Sequence, residues 1–169
     1  MSKQRASLVG GVVVAIILTA VPAALAAHHP TQRTPANCVR DQLSVRSGGI
    51  NGGAGTIHGA WVFTNRSATA CVLNGYPDLQ LYNRGGRPIL TTVVQDIAPG
   101  PTAVTLLPDA SGTFFSSYND VSSGSGCRTS AVMQVTAPND AAPLFIPAQL
   151  QACGGVVHVS AVRAGVHHA

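Results

Sequence analysis

The chain has four cysteines, Cys38, Cys71, Cys127 and Cys153, and all of them follow an apolar N-terminal run. That arrangement limits the possible folds more than any other feature. Lys3 and Arg5 precede the run "LVGGVVVAIILTA" (Leu8–Ala20), Pro22 breaks it, and Ala24-Leu25-Ala26 supplies the small residues that a signal peptidase accepts. Residues 1–27 therefore read as an export signal cleaved after Ala26 or Ala27. The rival reading is an uncleaved anchor over residues 8–27, an apolar stretch long enough to cross a bilayer. In both cases the rest of the chain is expected outside the cytoplasm, secreted or in the cell envelope. Four cysteines in that setting read as two disulfides. Three pairings are open; shorter closure favours Cys38–Cys71 with Cys127–Cys153. On the chain-entropy account each bridge stabilises by roughly 3–4 kcal/mol, less any strain. The spacings are far from paired C-x-x-C motifs, which argues against structural zinc.

Charged residues make up 9% of the chain and hydrophobic ones 46%, so the composition is too apolar for intrinsic disorder. There is no Glu, and Lys3 is the only Lys. Without Lys3 and Arg5, eight Arg face six Asp, a net charge of +2. Those Arg are scattered and form no basic stripe, so nucleic acid is not an expected partner.

After a polar, proline-containing linker (28–37), apolar residues recur with period two between turn signals. "GTIHGAWVFTN" puts Ile57, Trp61 and Phe63 on one face and His58, Ala60, Val62 and Thr64 on the other. "DLQLYN" points Leu79 and Leu81 inward and Gln80 and Tyr82 outward. "TTVVQDI", "VTLL", "SGTFFSSY", "SAVMQVTAP", "PLFIPA" and "GVVHVSAV" continue the series, whereas "DVSSGSGCR" reads as a loop. Eight to ten short strands predict an all-β antiparallel sandwich over residues 38–163, with a barrel as the alternative, followed by a flexible tail, 164–169. In "ACVLNGYPDLQLYN" (70–83) Cys71 ties a strand to the start of the domain, Asn74-Gly75 turns through positive φ, and Tyr76-Pro77 stiffens the exit. On this reading Gly75→Val destabilises the fold and Gln80→Ala scarcely matters.

The stretch Phe63, Asn65, Ser67, Cys71, Leu73, Gly75, Tyr76, Pro77 has the form F-x-N-x-[ST]-x-x-x-C-x-L-x-G-Y-P. With the third Cys, "VTAP", "FIPA" and the last Cys, it resembles the secreted actinobacterial family called domain of unknown function 4232, over Cys38 to Val162. The resemblance implies an exported immunoglobulin-like sandwich with two disulfides, and it carries over no catalytic residues. One departure is Pro108-Asp109-Ala110-Ser111-Gly112, where relatives often have Pro-Gly.

No catalytic constellation stands out. There is no G-x-S-x-G, and Ser125 lies among small residues. A glycosidase pair would have to come from six Asp, most of them in turns. Asn65-Arg66-Ser67 matches an N-glycosylation pattern but also suits a strand end. For a transition metal, copper or zinc, the candidates are His58 and His158, whose rings could meet if their strands paired, and the terminal pairs His28-His29 and His167-His168. No motif asks for a cofactor. The expected function is that of a non-enzymatic binding or structural module with an envelope or extracellular partner. An envelope metal-binding protein is the alternative and an extracellular hydrolase the last. Ser47–Gly55, Arg84–Arg87 and Ser122–Gly126 are the candidate recognition loops.

Overall fold

A computed structural model of the chain describes residues 34–121 and 126–169. The expected export signal or anchor, and most of the linker, lie outside them. The described residues form thirteen strands and one 3-10 turn, Arg40–Gln42. Among them no helix is long and apolar enough to cross a membrane.

The alternation seen in the sequence accounts for the first layer. β1 (Leu43–Gly53) and β2 (Thr56–Asn65) form a hairpin about Ala54–Gly55, and β2 then pairs with β7 (Ser111–Asn119). Trp61 lies opposite Phe114, and Ile57 opposite Tyr118, so one face of both strands is apolar. β12 (Val156–Ser160) continues the sheet, and β5 (Thr92–Asp96) closes its far edge by pairing parallel to β12. The short β13 (Arg163–Ala164) pairs beyond β12 on β7. The second layer is β10 (Pro143–Pro147), β9 (Val132–Thr136) and β4 (Asp78–Tyr82), all antiparallel. Two ribbons fill the ends, β3 (Cys71–Leu73) with β6 (Val104–Leu106) and β8 (Cys127–Thr129) with β11 (Gln151–Cys153). Leu79, Leu81, Met133 and Val135 from the second layer join Trp61, Phe63, Phe114, Val157 and Val159 in a single core. The rings of Phe63 and Phe114 sit 5.4 Å apart within it.

The disulfides join Cys38 to Cys71 and Cys127 to Cys153, the two pairs that shorter closure favours. Cys71 belongs to the corner that the motif of residues 63–77 spells out. Asn65 is fully buried; its amide donates to the carbonyls of Thr69 (2.8 Å) and Leu106 (3.0 Å) and accepts from the Ser67 N–H (3.0 Å) and hydroxyl (2.8 Å). An asparagine occupied in this way is a structural bracket, not an exposed glycan acceptor. Gly75 has φ +130°, which L side chains rarely adopt, and its carbonyl accepts from the Val162 N–H at 3.1 Å.

Several expectations change. Ser47–Gly55 is not a loop: most of it belongs to β1, held in register by β2 with a bulge at Gly48. The "loop" ending in Cys127-Arg128 becomes β8 at that point. The linker is paired at its end, where Asn37 bridges to Val72. Residues 164–169 are tied down. The Thr113 hydroxyl donates to the Gly165 carbonyl (2.8 Å), and the His167 N–H donates to that hydroxyl (3.1 Å). A Cβ at Gly48 would stand 2.8 Å from the His167 carbonyl, so the bulge needs glycine for the tail to lie there. Gln80 is no idle surface residue either. Its amide donates to the carbonyls of Leu81 (2.8 Å) and Ile89 (2.7 Å), fastening the segment after the Arg84–Arg87 turn.

Candidate functional site

β2, β7 and β12 lie side by side, and both His58 and His158 stand opposite Ser117 of the middle strand. The two histidines therefore share the outer face but not a strand pair; β7 separates them, so the rings do not meet in the way direct pairing would allow. His158 has gained a partner: its Nδ1 lies 3.2 Å from Asp96 Oδ1 on β5, and both side chains are about half exposed. A concavity of about 410 Å³ adjoins this row, lined by Thr56, Ser117, Asn119 and His158 among others. No hydrogen bond joins Ser117 to His158. β7 is paired on both sides here, so the ladders engage the backbone N–H groups that an oxyanion would need.

The rings of His167 and His168 are each engaged by a backbone carbonyl. His28 and His29 lie outside the described residues. His167 Nε2 donates to the Ala164 carbonyl (2.9 Å), and His168 Nδ1 to the Gly48 carbonyl (2.7 Å). No group of three or more metal-ligating side chains occurs among the described residues.

The second concave region surrounds the Arg84–Arg87 turn. Asn83 builds the turn: its Oδ1 accepts from the N–H groups of Gly85 (2.9 Å) and Arg87 (3.0 Å), and its own N–H donates to the Arg87 carbonyl (2.9 Å). Beside it, the outward face of the β4–β9–β10 sheet presents Tyr82, Val132 and Phe145. Phe145 is 60% exposed, its ring 6.4 Å from that of Tyr82, whose hydroxyl donates to Gln134 Oε1 at 2.9 Å. These residues line a concavity of about 360 Å³. A second one of about 350 Å³ adjoins it, lined by Thr129, Ser130 and Gln149, and Arg84 and Ala131 belong to both. Among the described residues the side chains of Arg84, Thr129 and Gln149 hold no hydrogen-bond or ion-pair partner. Their groups are exposed and uncommitted, on a frame fixed by strands.

The turn was visible in the sequence as Arg84-Gly85-Gly86-Arg87. Phe145, Thr129 and Gln149 were not: they come from strands and loops far along the chain. The available signal was an aromatic at an outward strand position between two prolines. Ser122–Ser125, most of another candidate loop, lie outside the described residues.

A single core between all-β layers, two disulfides and an open bipartite groove define a small stapled β domain, and the disulfides fit an oxidising, extracytoplasmic compartment. Within that class, the chain belongs to the family described as domain of unknown function (DUF4232), which it matches over residues 38–165. No curated protein and no solved structure matches it.

Proposed function

We propose that the chain is an exported, non-enzymatic binding domain that engages a component of the cell envelope or medium through the groove around Arg84. One observation carries this reading: two adjoining concavities share an unpaired guanidinium, and an exposed aromatic flanks it on a rigid sheet. The N-terminal apolar run supports export. The engaged backbone donors around Ser117 favour binding over hydrolysis. The experiment is retention on isolated envelope material of the protein recovered from full-length expression. Wild type should be retained and an Arg84→Ala/Phe145→Ala double variant should not; equal retention of the two would overturn the groove as the binding surface.

The Asp96–His158 pair supports a second reading, a transition-metal site. A carboxylate on Nδ1 leaves Nε2 free as a ligand and orients the ring, as in many metal sites, and His58 stands on the same face. Copper or zinc titration tests it: binding tighter than about 100 μM that is lost in His158→Ala supports the site, and its absence removes it.

A further inference from the structure

The chemistry of the groove narrows its ligand. We propose that it takes an acidic glycan, a chain of sugars bearing carboxylates; this rests on the groove being the binding surface. Arg84 lies at the junction of the two concavities, and neither is lined by any Asp. An unpaired guanidinium in that position fits a planar carboxylate in a two-pronged contact. Arg87 is exposed on the same turn and adds to the positive field.

The walls differ on either side of Arg84. On one side, the Phe145 and Tyr82 rings offer apolar surface to the C–H face of a sugar, and the Tyr82 ring is held by Gln134. On the other, the Thr129 hydroxyl and the Gln149 amide have donors and acceptors to spare for sugar hydroxyls. Two hollows in a row, each roughly the size of a small-ligand site, suit an elongated chain with alternating apolar and polar edges.

The same features exclude other occupants. A peptide strand would need a free sheet edge. β10 begins and ends in proline, Pro143 and Pro147, which donate no hydrogen bond. β4 is covered on its open side, where the Ile89 N–H donates to the Leu81 carbonyl at 2.8 Å and Tyr82 bridges to Pro88. Nucleic acid would require several phosphate-binding cations in line, and the groove has one Arg between its hollows. A ligand here is read from the sheet face by side chains.

Titration followed by amide NMR, using the protein from full-length expression, tests the inference with four probes: tetragalacturonate, a hyaluronan tetrasaccharide, maltotetraose as the neutral control and tetraglutamate as the acidic peptide. At least one of the two acidic glycans should bind with a Kd below about 1 mM and shift the amides of residues 82–87, 129–132 and 145–149. That affinity should fall at least tenfold in Arg84→Ala and in Phe145→Ala, both exposed and dispensable for the core, and should weaken with added salt. Maltotetraose should bind at least tenfold more weakly. Equal binding of maltotetraose, binding of tetraglutamate alone, or no binding of either acidic glycan overturns the inference. If groove-dependent retention on envelope material persists in those cases, the binding reading stands and only the ligand class falls. If retention is also indifferent to Arg84 and Phe145, both fall.

Discussion

Asn65 shows how much one side chain can decide. Its amide meets four polar partners in the corner after β2, among them the buried Leu106 carbonyl. Asn65→Ala should therefore cost about 1–3 kcal/mol in urea unfolding, more than a typical surface change, because it strands that carbonyl. Asn65→Asp should fare no better, since it loses the two donated bonds and buries a charge. Tyr118 gives a second prediction. It is 5% exposed on the inward face of β7, and its pKa is raised above the usual 10.0, chiefly by burial and further by Asp120, against a lowering backbone hydrogen bond at Gln151. The folded state thus keeps the phenol neutral. Its contribution is whole below the unfolded value, shrinks as pH rises past about 10, and is lost as pH passes the folded value. Stability measured from neutral pH to above pH 10 should fall more steeply in wild type than in Tyr118→Phe; parallel curves would rule this out.

Two elements behave differently from what local composition suggests. Gln80 looked dispensable because it alternates outward on β4, but it holds the chain returning at Ile89. Gln80→Ala should cost about 1 kcal/mol and speed hydrogen exchange at the Ile89 amide while leaving that of Leu79 unchanged. The tail over Thr113 and Phe115 is likewise an element in its own right. The Arg163 guanidinium lies 5.8 Å from the Phe115 ring centroid, and His167 packs on the same ring. Gly48→Ala should push this tail outward, lower stability by about 1–2 kcal/mol and raise protease cleavage within residues 164–169. The strands most legible in the sequence were those such as β4 and β9, where alternation is enforced by burial of one face, whereas β2 was legible although the face of Ala60, Val62 and Thr64 is buried as well. β8 and β11 were missed because, unlike the equally short β3 and β6, "CRT" and "QAC" carry no branched aliphatic residue to signal a strand. Ser47–Gly53 was missed because its Gly-rich composition says loop while its pairing comes from β2. The groove was legible only at its turn, since its other walls meet through pairings between distant strands.

The whole molecule rests on a core of modest side chains stiffened by two covalent links. Replacing Cys38 and Cys71 together by Ser opens a loop whose ends are 33 residues apart, and Cys127 with Cys153 one of 26. Each double replacement should lower unfolding free energy by roughly 3–4 kcal/mol, read from the denaturant midpoint at constant m-value. The order of strands has a further consequence, for time and not for stability. β7, from the middle of the chain, receives β2 on one side and on the other both β12 and the terminal β13. The large sheet is incomplete until residues 156–164 pair with β7, and such distant pairings form slowly. Until then β7 keeps an open edge, a row of unpaired backbone groups that a strand from another copy could occupy.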